Sequence, residues 1–147
     1  MSPSPPSPEG PISLATVSRN GRALAAATPD RALIMLADPR SPAAEAYRSL
    51  AATIQFAYAD RQLQTIGITS AAAGEGKSTT TANLAIALAE AGRRVIVVDA
   101  DLRRPGQHTL FGLDRQDGLS NVLLGDQTQL PLLETQTPGV RVLTSGS

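Results

Sequence analysis

Eight consecutive residues, Ala71-Ala72-Ala73-Gly74-Glu75-Gly76-Lys77-Ser78, match the pattern G-x-x-x-x-G-K-[ST] everywhere except the first position, where alanine replaces glycine. These residue types suit a phosphate chain. Gly74 and Gly76 let the backbone amides from Gly74 to Ser78, with Glu75 among them, curl around an anion at close range. Lys77 can reach the β- and γ-phosphates of a nucleotide such as ATP, and the Ser78 hydroxyl is a hard oxygen ligand for Mg²⁺. Thr79 adds a hydroxyl near the α-phosphate. A helix starting at Lys77 would point its positive end at the anion. A glycine-rich turn capping an ordinary helix is the plain alternative. The flanks favour the phosphate site, because an apolar strand candidate precedes the loop and a long helical pattern follows it.

A second constellation lies some twenty residues on, in Val95-Ile96-Val97-Val98-Asp99-Ala100-Asp101-Leu102-Arg103-Arg104-Pro105. It puts two carboxylates at the carboxyl end of an apolar strand, where open α/β sheets bind their ligands. Asp99 and Asp101 could orient a Mg²⁺ ion beside Lys77, and one of them could accept a proton from an attacking hydroxyl. Arg103 and Arg104 could neutralise phosphate charge or pair with the carboxylates. Without a neighbouring phosphate loop, the same residues would read as a polar loop with local ion pairs.

Positioning these groups requires an α/β frame. Thr65 to Thr69 (TIGIT) reads as a short strand, Lys77 to Ala91 as a helix with Leu84, Leu88 and Ala91 on one face, and Gly92 as its stop. Val95 to Val98 is a β-branched run of the kind buried on both faces of a sheet. Strand, loop, helix and strand in this order predict a crossover between parallel strands. Val140 to Leu143 is a third strand candidate, and Gly118 to Leu124 a short helix ended by Gly125. Upstream, Ser41-Pro42 marks a helix start. That helix should run to about Ala59, with Ala43, Tyr47, Leu50, Ile54 and Ala57 as its apolar stripe, Phe56 alongside, and a Glu45–Arg48 pair on its exposed side. Ala32 to Ala37 is apolar but too short for periodicity to separate strand from helix. Residues 1–30, with five prolines before Ile12, read as a disordered Pro/Ser-rich leader, leaving 31–147 as the folded unit.

Composition narrows the functional classes. The 147 residues carry 13 Lys+Arg against 13 Asp+Glu, a formal net charge of zero, which disfavours a nucleic-acid binder working through a broad basic face. The absence of cysteine excludes disulfides, thiolate metal sites and cysteine nucleophiles. Apolar runs are far shorter than the roughly 18 residues of a membrane span, and the Pro/Ser-rich start is unlike a secretory signal.

From Ile66 to Pro105 the sequence resembles the catalytic domain of bacterial tyrosine kinases, P-loop enzymes of capsular and exopolysaccharide assembly. GITSAAAGEGKSTTTANLAIALA resembles the family's Walker A segment, VIVVDADLRRP its Asp-x-Asp-x-Arg motif (Walker A′), and DPRSPAAEAYRSLAATIQF its upstream helix with the oligomerisation motif E-x-x-R-x-x-R. GLSNVLLGD is also similar, so the likeness spans roughly Leu36 to Ser147. ParA/MinD-type ATPases are the neighbouring class. They carry a lysine five residues before the P-loop lysine, where this chain has Ala72.

The resemblance implies an α/β fold of the P-loop NTPase type, with a parallel sheet and flanking helices. It implies an autophosphorylating, ATP- and Mg²⁺-dependent protein-tyrosine kinase. In it Lys77, Asp99, Asp101 and Arg103 would be catalytic, Gly74 to Thr79 would bind nucleotide, and Ser78, Asp99 and Asp101 would hold the metal. It implies activation by the cytoplasmic tail of a membrane adaptor (a polysaccharide co-polymerase), a cytoplasmic place at the inner face of the plasma membrane, and self-association through the helix bearing Glu45 and Arg48. The chain departs from the pattern at Ala73, where proline is usual, and at Ala51, the motif's last arginine. It contains neither the Walker B motif (an apolar run, then Asp-x-x-Pro) nor a C-terminal tyrosine cluster; Tyr47 and Tyr58 are its two tyrosines. The expectation is therefore the front portion of such a domain. A ParA/MinD-like ATPase and a nucleotide-binding remnant without catalysis stay open beside it.

Overall fold

A computed structural model describes residues 28–60 and 63–147. Nearly all of the expected leader, residues 1–27, lies outside the described residues. Its last described residue, Asp30, is anchored: the Asp30 amide donates to the Leu110 carbonyl at 3.0 Å.

The apolar run at Ala32–Ala37 resolves as a short helix, α1 (Ile34–Ala37), with Leu33 and Met35 fully buried. One side chain holds it. Buried Asn83 accepts from the Met35 amide (3.1 Å) and donates to the Ala32 and Thr79 carbonyls (2.9 Å each).

Helix α2 (Pro42–Ala57) starts where Ser41-Pro42 indicates. The Ser41 hydroxyl accepts from the Ala44 amide at 3.1 Å, a cap of about 1 kcal/mol. Its buried face differs from the expected one. Ala44 and Ala51 are buried, with Tyr47 and Ile54 partly so, whereas Ala43, Leu50 and Phe56 face outward. The cause is the partner, α3 (Lys77–Glu90), whose Ala82–Ala87 stretch is buried throughout. Small alanines let the two helix surfaces approach, and a leucine at that contact would hold the axes apart. Arg48 leans the same way. Its Nε donates to Glu90 at 2.8 Å, its Nη1 to the Pro39 carbonyl at 2.8 Å and, more distantly, to Glu45 at 3.5 Å. The hydrogen bond to Glu90 raises the guanidinium pKa above its already high ordinary value.

The strands expected at Val95–Val98 (β1) and Val140–Leu143 (β3) are present and pair in parallel, Val95 opposite Val140 and Val98 opposite Leu143. A two-residue strand, β2 (Leu133–Glu134), adds antiparallel to β3, giving the order β1-β3-β2. Helices α4 (Gln107–Phe111) and α5 (Leu119–Leu123) lie between β1 and β2 in the chain. The α5 amides of Leu119 and Ser120 donate to the carbonyls of Thr144 and Ser145 just beyond β3. Gly118 there is pressed so closely on Thr144 and Gly146 that a Cβ would overlap their backbone atoms.

Two further expectations are corrected. Thr65–Thr69 is not in the sheet, and Ile66 is exposed. A strand is defined by its ladder partner, and none of the described strands pairs with this segment. The parallel pair found is β1 with β3 rather than β1 with Thr65–Thr69. Second, β1 is covered on one face only. Val97 is buried while Ile96 and Val98 are exposed, Val98 at 48%, because α3 covers one side and no described element covers the other. The whole is a mixed α/β fold, a small parallel-containing sheet with flanking helices. None of the described helices is long and apolar enough to cross a membrane.

Candidate nucleotide site

The loop before α3 owes its shape to glycine. Gly76 caps the helix in the left-handed region (φ 87°), a conformation that a residue with a Cβ resists, and Gly74 shares it (φ 79°). The loop is also tied to itself. Lys77 Nζ donates to Ser70 Oγ at 3.0 Å and approaches the Ala72 carbonyl at 3.5 Å, while Ser70 Oγ donates to that same carbonyl at 2.8 Å. The Glu75 carboxylate accepts from the Ala72 amide at 3.0 Å. The lysine expected to meet phosphate is thus held at the front of the loop by a hydroxyl and a carbonyl. These are neutral partners, which a phosphate would outcompete.

The acidic segment is built around its two carboxylates. Asp99 is buried, and its own amide donates to the Leu143 carbonyl at 2.9 Å, extending the sheet edge by one bond. Its Oδ2 accepts from the amides of Gly106 (2.9 Å) and Gln107 (3.0 Å), and its Oδ1 from Asp101 (3.3 Å). Asp101 is exposed, and its Oδ1 accepts from the amides of Arg103 (3.2 Å) and Arg104 (2.9 Å). The arginines therefore meet Asp101 through the backbone. Their guanidiniums are exposed and bond no described residue, so the expected side-chain pairing is not formed.

The two constellations meet at Gln107. Its side-chain Nε2 donates to the Ser78 carbonyl at 3.1 Å, while its amide binds Asp99. Ser78 and Asp99, 21 residues apart, are thereby joined through one residue. Lys77 sits with Ser70, and Asp101 and Arg103 stand on the exposed loop. Reading the sequence singled out neither Ser70 nor Gln107. Ser70 directly precedes the loop, and Gln107 begins a five-residue helix too short to show a period.

The donor set fits a hydrated divalent cation. Ser78, Asp99 and Asp101 offer hard oxygens. No group of three or more His, Cys, Asp or Glu among the described residues could hold a metal by itself. An ion here would take most of its ligands from phosphate and water, as Mg²⁺ commonly does.

Comparison with known proteins identifies the family. The ParA family model, described as NUBPL iron-transfer P-loop NTPase, matches residues 62–144. The chain belongs to this class, the ParA-type P-loop NTPases. Within it, named relatives are bacterial tyrosine kinases. Tyrosine-protein kinase YwqD of Bacillus subtilis is 44% identical over 117 residues, covering 79% of this chain and 49% of the relative. The crystal structure of the chimerical protein CapA2B2 superposes with a TM-score of 0.74 at 42% identity, over 81% of this chain and 53% of that one. The BceF tyrosine kinase domain gives 0.69 at 33%, over 78% and 46%. The chain thus spans about half the length of these relatives.

Proposed function

We propose that this chain is the nucleotide-binding portion of an ATP-dependent, autophosphorylating protein-tyrosine kinase that regulates capsular or exopolysaccharide synthesis and export. The observation that carries this reading is the junction of Ser78 and Asp99 through Gln107, which sets the phosphate loop beside the Asp-x-Asp-x-Arg segment. The named tyrosine-kinase relatives support it. In this reading the amides of Gly74 to Ser78 cradle the phosphates, with Thr79 near the α-phosphate. Lys77 leaves Ser70 to bind the β- and γ-phosphates. Ser78, Asp99 and Asp101 hold a magnesium ion, which would supply charge neutralisation on the transferring phosphoryl group. Asp99 or Asp101 takes the tyrosine proton, and Arg103 swings onto the phosphates. The membrane adaptor tail as activator, the place at the inner membrane face and self-association through α2 belong to the same proposal. For the last, Arg48 would have to exchange Glu90 of its own chain for a neighbour.

The test is nucleotide binding followed by transfer. A fluorescent ATP analogue should bind the wild-type chain, and Lys77→Met should weaken binding about 100-fold, the loss of a charge-assisted contact worth ~3 kcal/mol. With the adaptor tail present, phosphotyrosine should form in the wild type and not in the variant. Unchanged binding by Lys77→Met would sink the assignment. The family match favours one second reading, a ParA/MinD-like ATPase switch. Phosphate release stimulated by a partner, with no phosphotyrosine, would establish that instead.

A further inference from the structure

Among the backbone amides from Ala72 to Ser78, one is occupied within the described residues. The Ala72 amide donates to the Glu75 carboxylate at 3.0 Å, and those of Ala73 to Ser78 donate to no described residue. The occupied amide opens a turn, Ala72-Ala73-Gly74-Glu75, whose third residue has a positive φ (79°) that glycine adopts without strain. Such a turn ordinarily closes through the main chain, its fourth amide donating to its first carbonyl. That bond is not made here. The Ala72 carbonyl instead accepts from the Ser70 hydroxyl at 2.8 Å and is approached by Lys77 Nζ at 3.5 Å. The turn is closed by a side chain, and the Glu75 amide stays free.

The two charged side chains of the loop also end on one residue and not on each other. Glu75 holds the Ala72 N–H, Lys77 lies at the Ala72 C=O, and no ion pair joins the two among the described residues. A carboxylate beside a row of free amides competes with any incoming anion, and paired with Lys77 it would cancel the charge that phosphate needs. The bond to Ala72 holds it at the front of the loop, away from both.

We infer that Glu75 is a positioning residue of the nucleotide site, a role that rests on the phosphate-site reading above. Its carboxylate clasps the front of the loop. The clasp closes the turn without using an amide of the cradle, and it keeps the acid off Lys77. It also holds the loop in shape before any ligand arrives, so less order remains to be imposed on binding. Glu75 acts on the phosphates through the amides that its side chain leaves free.

The experiment titrates the full 147-residue chain with a fluorescent ADP analogue and Mg²⁺, as wild type, Glu75→Gln and Glu75→Ala. Both variants lack the negative charge, so its repulsion cancels between them. Only glutamine keeps an oxygen that can accept from the Ala72 amide. Glu75→Ala should bind about fivefold more weakly than Glu75→Gln, the worth of one hydrogen bond, while the urea midpoints of the two variants coincide. Equal affinities in the two variants, beside a wild type that binds, would overturn this role and leave the phosphate site standing. A midpoint that falls together with the affinity would show a merely structural role and overturn it as well. A wild type that does not bind the analogue would overturn the phosphate-site reading, and the role of Glu75 with it. Amide hydrogen exchange in the wild type decides without any variant. Ala72 and Ala73 each follow an alanine, so their unprotected rates match. The Ala72 amide should exchange more slowly, and equal rates refute the clasp.

Discussion

Val142 and Ile66 are both β-branched, both sit in short apolar runs, and both were expected in strands, yet they end in opposite environments. Val142 is fully buried, flanked by β1 on one side and β2 on the other. Ile66 stands exposed in a segment with no ladder partner among the described strands. The difference lies outside either run. A helix closes its hydrogen bonds within itself, so α3 could form from its own sequence. A strand borrows its partner, so β3 forms and Thr65–Thr69 does not. The phosphate loop is consequently supported unevenly. Its exit is the buried helix α3, tied through Gln107 to Asp99, and its entrance is the unpaired approach to Ser70.

This contrast can be broken at its firm end first. Asp99→Ala removes a buried acceptor of three backbone amides and should cost about 3 kcal/mol, read as a shift in the urea midpoint. Asp99→Asn keeps one acceptor oxygen, enough for the Gly106 and Gln107 amides, but sets its Nδ2 against the Asp101 amide, so it should recover part of that; a loss equal to that of Asp99→Ala would show that those two bonds contribute nothing. Next comes the matched pair. Val142→Ala should cost about 2 kcal/mol as a core truncation, and Ile66→Ala less than ~0.5 kcal/mol. Equal costs would mean that the approach to the loop is packed in solution. A similarly small effect belongs to Arg48→Ala. Its pairs with Glu90 and Glu45 are open to solvent, so the melting temperature should fall by about 2 °C or less, and the difference should fade in high salt. A large, salt-insensitive loss would make that face of α2 part of the stable core.

How much of this was legible depended on how local each signal was. The Ser41 cap, the loop glycines, α3 and the strands at Val95 and Val140 are written in neighbouring residues, and all appear. The stripe of α2 was misplaced because its burial depends on which helix lies against it, and alanine, not leucine, makes that contact. The one-sided burial of β1 was hidden for a similar reason, since a run of valines states what a strand can bury and not what covers it. For the candidate site, the residue types at Lys77, Ser78, Asp99 and Asp101 stood in the motif spacing. Gln107 could not be seen that way. Its meaning arises from a contact spanning 29 residues, and nothing local marks it.

Gly118 carries a consequence for the order in which the molecule assembles. Helix α5 has five residues, too few to nucleate alone. Its first amides are held by Thr144 and Ser145, which follow about 25 residues later in the chain. The helix therefore cannot persist until β3 has joined the sheet and the backbone after it is in place. In kinetic terms this corner is expected to arrive late, on the native side of the folding barrier, and φ-values near zero at Gly118 would show it. Strain placed at Gly118 would be felt in how fast the molecule opens far more than in how fast it closes.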